Sequence, residues 1–401
     1  MSGYGRSLAG FPRAGIPQRD RTFLCDCAEA SGVTPLERRT DAAQTALADA
    51  GADALVCVPG RNLQYLTGLV ESQRERHFLF VVPAEGDPTF FVPALAASQV
   101  RAESWVLDVR AWDDETDPVR ALSELFDDLG IPAASHLLVD DTMWATFTQD
   151  VREIRPDATL GLASEVLADL RIRKDDAELD ALRRAAGAAD DAMERVRGLG
   201  SDAVGLTESE LAARIESFLA DAGGDGVSFE TIVGSGPNGA MPHHTHGDRT
   251  IEAGDPVVVD FGTRVDGYPS DQTRTVVFDG TPGERFREVH DVVRRAQEAA
   301  VDAVEPGVTA GAVDAAARSA IEDAGYGERF IHRTGHGVGL DVHEEPYIVA
   351  DSTRELEPGM VFSVEPGVYL DGTFGVRIED LVVVTDDGCE RLNTTDRGWK
   401  C

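Results

Sequence analysis

Four carboxylates stand beside aliphatic runs, where a buried strand should carry no charge. Asp260 closes the valines of "VVVDFG", and Asp271 opens "DQTRTVVF" eleven residues later. Glu365 follows an apolar run in "VFSVEPGVY", and Glu379 sits two residues after Arg377 in "GVRIEDLVVV". An unpaired carboxylate inside a protein costs on the order of several kcal/mol. Each of these has a plain structural reading when taken alone. Glu365 could begin a turn before Pro366, and Glu379 could pair with Arg377 on an exposed strand face. Together they call for compensation. Four carboxylates converging on one core would repel unless cations sat among them, and two divalent ions carry the matching charge. Histidines lie in the same half of the chain: His332, His336 and His343 in "HRTGHGVGLDVHEEP", and His243, His244 and His246 in "MPHHTHGD". Oxygen-rich ligands with a single imidazole suit Mn²⁺, Co²⁺, Fe²⁺ or Zn²⁺ at a catalytic centre better than a structural zinc, which prefers Cys and His. Two ions about 3.5–4 Å apart can lower the pKa of a shared water to near neutrality.

The elements that must position these groups follow from periodicity. The runs "VVVDFG" and "TRTVVF" are rich in β-branched residues and flank a turn containing Gly267, Pro269 and Ser270. They read as a β-hairpin with a long loop, which brings Asp260 and Asp271 together. From Pro35 onward helices and strands alternate: "LERRTDAAQTALADAG", "DALVCVP", "HFLFVVP", "PTFFVP", "DPVRALSELFDDLG" and "SHLLVD". Such alternation predicts an α/β layer architecture. A second region opens with the long helix "DDAELDALRRAAGAADDAMERVRG". The helix "TESELAARIESFLADAGG" follows, and Thr207 with Glu210 forms its capping box. A long helix and "GVTAGAVDAAARSAIEDAGYG" repeat that order about a hundred residues on. The register of the match predicts an internal duplication, with a site between the halves. The expected division is 1–33 as a disordered extension, 34–165 as an N-terminal α/β domain and 166–401 as the catalytic domain.

Bulk composition limits the partners. The chain has 401 residues and a net charge of −35. Of its 37 basic residues two are lysines, Lys174 and Lys400. So acidic a surface disfavours nucleic acid and anionic membranes. It fits a halophilic cytoplasm, where molar salt shortens the range of charge repulsion to about 3 Å. No apolar run approaches the ~18 residues of a membrane span. Residues 1–33 hold several arginines and no apolar segment, so they do not read as a secretory signal. Five scattered cysteines imply no disulfide framework, and Cys25-Asp26-Cys27 lacks a second pair with which to hold a metal.

The ordered set "DFG…SDQTRT…HRTGHGVG…HEEP…EPG…VRIED" resembles the pita-bread metallopeptidases, a family that includes methionine aminopeptidase, prolidase, aminopeptidase P and the metal-free creatinases. The resemblance spans about Pro35 to Leu392. It implies an N-terminal creatinase-like α/β domain followed by a duplicated α+β pita-bread domain. It also implies two divalent ions, Mn or Co first and Zn or Fe next. By that resemblance Asp260 chelates one ion, Asp271 and Glu379 bridge both, and His336 and Glu365 complete the other. Glu365 is also implied as the proton carrier. His343 is the implied donor to the tetrahedral intermediate or the scissile amide, and His243 a substrate contact, with His244 and His246 as alternatives. The segment "RNLQYLTGL", together with His332 and Arg377 as substrate-binding residues, is similar to the prolidase and aminopeptidase P branch. Arg377 is expected to orient Glu379 or the substrate. The implied activity is cleavage of Xaa-Pro bonds, as a dipeptidase or an aminopeptidase, by a cytoplasmic homodimer. The alternative is a non-peptidase small-molecule enzyme or a binding protein on the same fold.

Overall fold

Residues 34–401 are described by the computed structural model, so the expected extension and the Cys25–Cys27 pair lie outside the described residues. The first helix, α1 (Pro35–Ala50), starts at a capping box in which Thr34 and Glu37 bond each other's backbone amides. It ends where Gly51 takes a left-handed conformation, φ +67°. The chain then alternates through β1 (Ala54–Cys57), α2 (Arg61–Thr67), β2 (Leu79–Pro83), β3 (Thr89–Pro93), α3 (Ala94–Glu103) and β4 (Asp108–Trp112). It continues through α4 (Pro118–Asp128), β5 (His136–Val139), α5 (Ala145–Ile154), β6 (Thr159–Leu162) and α6 (Ser164–Arg171). The six strands form one sheet in the order β4-β3-β2-β1-β5-β6. Pairs β1–β2 and β2–β3 are antiparallel, and the other three pairs are parallel. Every residue of β1, β2 and β3 is buried, which is why these strands read as unbroken apolar runs.

The second unit repeats one arrangement. Helices α7 (Asp176–Gly198) and α8 (Glu208–Asp221) precede β7 (Ile232–Ser235), β8 (Val257–Phe261), a small ribbon of β9 (Arg264–Val265) and β10 (Tyr268–Pro269), and β11 (Gln272–Val276). Helices α9 (Glu284–Asp302) and α10 (Ala310–Asp323) then precede β12 (Gly335–Gly337), β13 (Glu344–Ile348), β14 (Val361–Val364), β15 (Gly367–Leu370), β16 (Phe374–Arg377), β17 (Asp380–Thr385) and β18 (Gly388–Arg391). The first half-sheet runs β11-β8-β7, and the second runs β13-β12-β14-β17-β18. Strands β7, β8, β11 and strands β12, β14, β17 therefore adjoin in the same order behind two helices each. The capping box of Thr207 and Glu210 starts α8 as expected, and Thr309 caps α10. Each helix pair packs its apolar stripe on its own half-sheet, with α7 and α8 covering Val233, Val257, Val259 and Val276.

The two halves are joined through β11 and β17. Arg274 is fully buried and donates to Asp380 Oδ1 at 2.7 Å. Asp380 also accepts from Gln297 at 3.0 Å and from Arg391 and Arg397 at 2.6 Å each. Burial alone would raise the pKa of Asp380, but Arg274, Arg397 and Arg391 outweigh it and hold the carboxyl below its usual range. Asp380→Asn leaves three guanidinium groups around a neutral amide. The expected loss is about 3–5 kcal/mol of unfolding free energy, read from the urea midpoint, and an unchanged midpoint would show that the cluster is not coupled to folding. Because the folded pKa is depressed, this contribution is present above the unfolded value of about 3.9. It is lost as pH falls through the lower folded value.

Candidate active site

Strand alternation places Asp260. Val257, Val259 and Phe261 of β8 face the helices, so Asp260 points to the opposite face, into a cleft. It pairs across the ladder with Thr273 of β11. The chain between them reverses at Asp266 and Gly267, with φ of +51° and +87°. Positive φ at both central residues is the Asp-Gly hairpin turn that suits the twist of its flanking strands. Asp271 emerges just before β11, and Glu379 just before β17, at the corresponding place in the second half.

His336 lies in β12 between two glycines. A β-carbon at Gly335 would collide with the Ser363 carbonyl, and one at Gly337 with the Glu345 carbonyl. The glycines thus let β12 approach its neighbours closely enough to bring His336 inward. The His336 backbone N–H donates to Ser363 Oγ at 3.1 Å, and Nδ1 lies 3.2 Å from Gly337 O. A proton on Nδ1 satisfies that carbonyl and leaves Nε2 as a free lone pair. Nε2 is 3.4 Å from Glu365 and 3.7 Å from Asp271. Ligand atoms of Asp271, His336 and Glu379 all lie within 4.8 Å of one another.

The cleft is lined by all the residues singled out as the expected site: His243, Asp260, Asp271, His332, His336, His343, Glu365, Arg377 and Glu379. His343 sits at its mouth with its ring centroid 4.1 Å from that of His336. His332 bonds Tyr369 OH through Nε2 at 2.9 Å. The guanidinium of Arg377 bonds Asp260, Tyr369 OH and Thr273 Oγ1. These bonds set the Arg377 guanidinium at the cleft wall against Asp260, and link it through Thr273 Oγ1 to Glu379. His244 and His246 turn away from the cleft, to Glu208 and Ser209. Sequence reasoning did not single out Arg333 and Tyr369, which the structure places at the cleft wall and beneath His332 and Arg377. Both lie within stretches that carry recognised residues, and that position was the available signal. Two hydroxyls support the carboxylates: Thr273 donates to Glu379 at 2.6 Å and Ser363 to Glu365 at 3.2 Å.

The electrostatics of this cluster suit cations. Burial and the charges of Asp260 and Glu365 push the Asp271 pKa well above the usual carboxyl range. Burial and the charges of Asp271, Glu365 and Asp260 do the same to Glu379. Burial raises Glu365 to about 7 against the opposing pull of Arg377. Burial, then His343, lowers His336 to about 3, so its imidazole is neutral, as a metal ligand must be. Asp260 Oδ1 is buried and has no hydrogen-bond partner. An orphaned carboxylate oxygen beside acids that resist ionising is a donor set lacking its positive charge, and divalent ions fit it.

The loop bearing His343 is held from the segment that joins the two units. Glu344 accepts from Arg171 and from Lys174 at 2.7 Å each, and Arg171 also bonds Asp341 at 2.7 Å. The Lys174 side chain is fully buried.

Paired helices behind two matching half-sheets, with an acidic, imidazole-bearing cleft, define a hydrolase of the pita-bread architecture that uses metal. Residues 180–386 match metallopeptidase family M24, and residues 39–173 match the creatinase/prolidase N-terminal domain. The chain belongs to metallopeptidase family M24, which sets aside the reading as a binding protein. It is 36% identical to the Xaa-Pro dipeptidase of Lactobacillus delbrueckii subsp. lactis, over 90% of this chain and 98% of that protein. Dipeptidase PepE from Mycobacterium ulcerans superposes with a TM-score of 0.85 at 42% identity, covering 91% of this chain and 97% of the other. Prolidase from Thermococcus sibiricus does so with a TM-score of 0.87 at 40% identity, covering 92% and 99%. Among the described residues no helix is long and apolar enough to cross a membrane.

Proposed function

We propose that this chain hydrolyses the Xaa-Pro bond of dipeptides, with two divalent ions, Mn²⁺ or Co²⁺ by preference, held by Asp260, Asp271, His336, Glu365 and Glu379. The observation that carries the reading is the convergence of these five side chains with an orphaned oxygen on Asp260. The names of relatives, an Xaa-Pro dipeptidase and a dipeptidase, support both the bond and the two-residue substrate.

When bound, the ions supply Lewis acidity and lower the pKa of the attacking water. The remaining work falls to the chain. Glu365, held by Ser363 Oγ at 3.2 Å, takes the proton of the water and returns it to the leaving proline nitrogen. His343 donates a hydrogen bond to the oxygen of the tetrahedral intermediate. His243 contacts the substrate from the opposite loop. His332 and Arg377, joined through Tyr369 OH, hold the proline end. Arg377 also keeps Asp260 oriented. The two structural units, joined by the segment between α6 and α7, act together in a cytoplasmic homodimer.

Purified protein loaded with Mn²⁺ or Co²⁺ in molar KCl is expected to release proline from Gly-Pro and Ala-Pro, and to leave a longer Xaa-Pro peptide largely intact. No turnover of any Xaa-Pro substrate would sink the reading. The same preparation is expected to lose activity and melt earlier as KCl falls below molar levels, because the screening length grows from about 3 Å at 1 M to about 10 Å at 0.1 M. Unchanged melting in dilute buffer would remove the case for a halophilic origin.

A further inference from the structure

The loop that carries His243 contains three adjacent or near-adjacent histidines, and one carboxylate binds both ends of that loop. Glu208 is the first residue of α8 and is fully buried. Its Oε1 accepts from the Ser235 backbone N–H and hydroxyl at 2.7 Å each, and from Asn238 Nδ2 at 3.0 Å. Its Oε2 accepts from the Gly247 N–H at 3.0 Å and lies 2.8 Å from His244 Nε2. The next residue, Ser209, meets His246 Nδ1 at 3.0 Å and donates through Oγ to Gly247 O at 3.1 Å. Ser235 and Asn238 stand at the entrance of the loop, and His244 and Gly247 at its exit. The span between them presents His243 to the cleft. The rest of its support is sparse and local: Thr245 O accepts from the Val233 N–H, Pro242 O from Arg377 at 3.5 Å, and the His244 N–H donates to Met241 O at 3.0 Å. Between Met241 and His246 the chain is a turn and coil, and His243 itself is open to solvent. A carboxylate in the first turn of a helix is also favoured by the helix dipole. Burial would raise the pKa of Glu208, but the hydrogen bonds from His244 and Ser235 outweigh it and keep the group ionised.

We infer that Glu208 is a positioning residue for the hydrolysis: it closes the loop from both ends and sets the place of His243, with His244 as its tether on the exit side. The inference rests on the proposed contact of His243 with substrate. A glutamine in place of Glu208 keeps the shape but turns an NH₂ group toward donors on Asn238, His244 or Gly247. The loop must then shift, and a displacement near 1 Å at a reacting group can lower the rate roughly 10²-fold.

The test is a double-mutant cycle on the metal-loaded, full-length enzyme with an Xaa-Pro dipeptide. Glu208→Gln and His244→Ala are each made alone and with His243→Ala, and kcat, KM and bound metal are measured. Glu208→Gln is expected to lower kcat/KM by roughly 10²-fold with metal content unchanged, and to lower it no further once His243 is alanine. His244→Ala should show a smaller loss with the same dependence on His243. If Glu208→Gln does not fold, the His244 pair decides the matter alone. Equal losses with and without His243 would mean that Glu208 acts through general stability, and the inference falls while the role of His243 stands. Full activity of His243→Ala would overturn that role, and the inference with it.

Discussion

Asp271→Asn should yield a folded protein with no measurable peptidase activity and a reduced metal content. Asp271 is buried, lies 3.7 Å from His336 and shares one ligand group with His336 and Glu379. An amide there has lost the negative charge that two cations would share. The same substitution has the opposite sign in the metal-free protein. Asp271, Glu379 and Glu365 all have raised pKa values when folded. A raised carboxyl pKa penalises the folded state as pH climbs from the unfolded value, about 4, toward the folded one. For Glu365 that window closes at about 7. Chelator-treated wild type should therefore melt at a lower temperature at pH 8 than at pH 5. Chelator-treated Asp271→Asn should melt above chelator-treated wild type at pH 8, because one of the mutually repelling acids is gone. Metal analysis, Xaa-Pro kinetics and melting curves with and without chelator check the three statements. Full activity with unchanged metal stoichiometry would falsify the assignment of Asp271.

The carboxylates were legible because each contradicts its own neighbourhood. Asp260 after three valines and Glu379 before "LVVV" have no place in an apolar strand unless something balances them. The helices were legible because their ends are written locally, as in Thr34–Glu37 and Thr207–Glu210. Strands β4 and β6 escaped notice because they are only partly buried and so lack an apolar run. Contacts between distant segments were also hidden. Arg377 and Glu379 are two residues apart and look like neighbours on one strand face. The chain changes sheets between them, since β16 ends at Arg377 and β17 starts at Asp380. Arg377 therefore reaches Asp260, 117 residues away. Likewise nothing local says which histidine of "HHTH" faces the cleft. The deciding partners of His244 and His246 are Glu208 and Ser209, 36 and 37 residues upstream.

His343→Ala should keep the fold and the metal and lose most of the turnover. His336 and His343 are seven residues apart and their rings almost touch, at 4.1 Å between centroids. Their surroundings nevertheless separate their roles. The Nε2 of His336 faces Asp271 and Glu365, its ring is held by Gly337 O, and its pKa is lowered to about 3. His343 stands at the cleft mouth, where partial burial and then Arg333 lower its pKa, so at neutral pH it is an uncharged N–H donor. Its loop is anchored by Glu344 on Arg171 and Lys174, so removing the imidazole should not release the loop. A group that donates to the transition state contributes about 10²–10⁴-fold, or roughly 3–5 kcal/mol. His343→Ala should show that loss in kcat, whereas His336→Ala should lose metal and rate together. Both are to be compared by metal analysis and by kinetics on an Xaa-Pro dipeptide. A metal-depleted His343→Ala beside a fully loaded His336→Ala would exchange the two assignments. Normal turnover in His343→Ala would leave the intermediate without its donor, and another group at the cleft mouth, Arg333 first among them, would have to supply it.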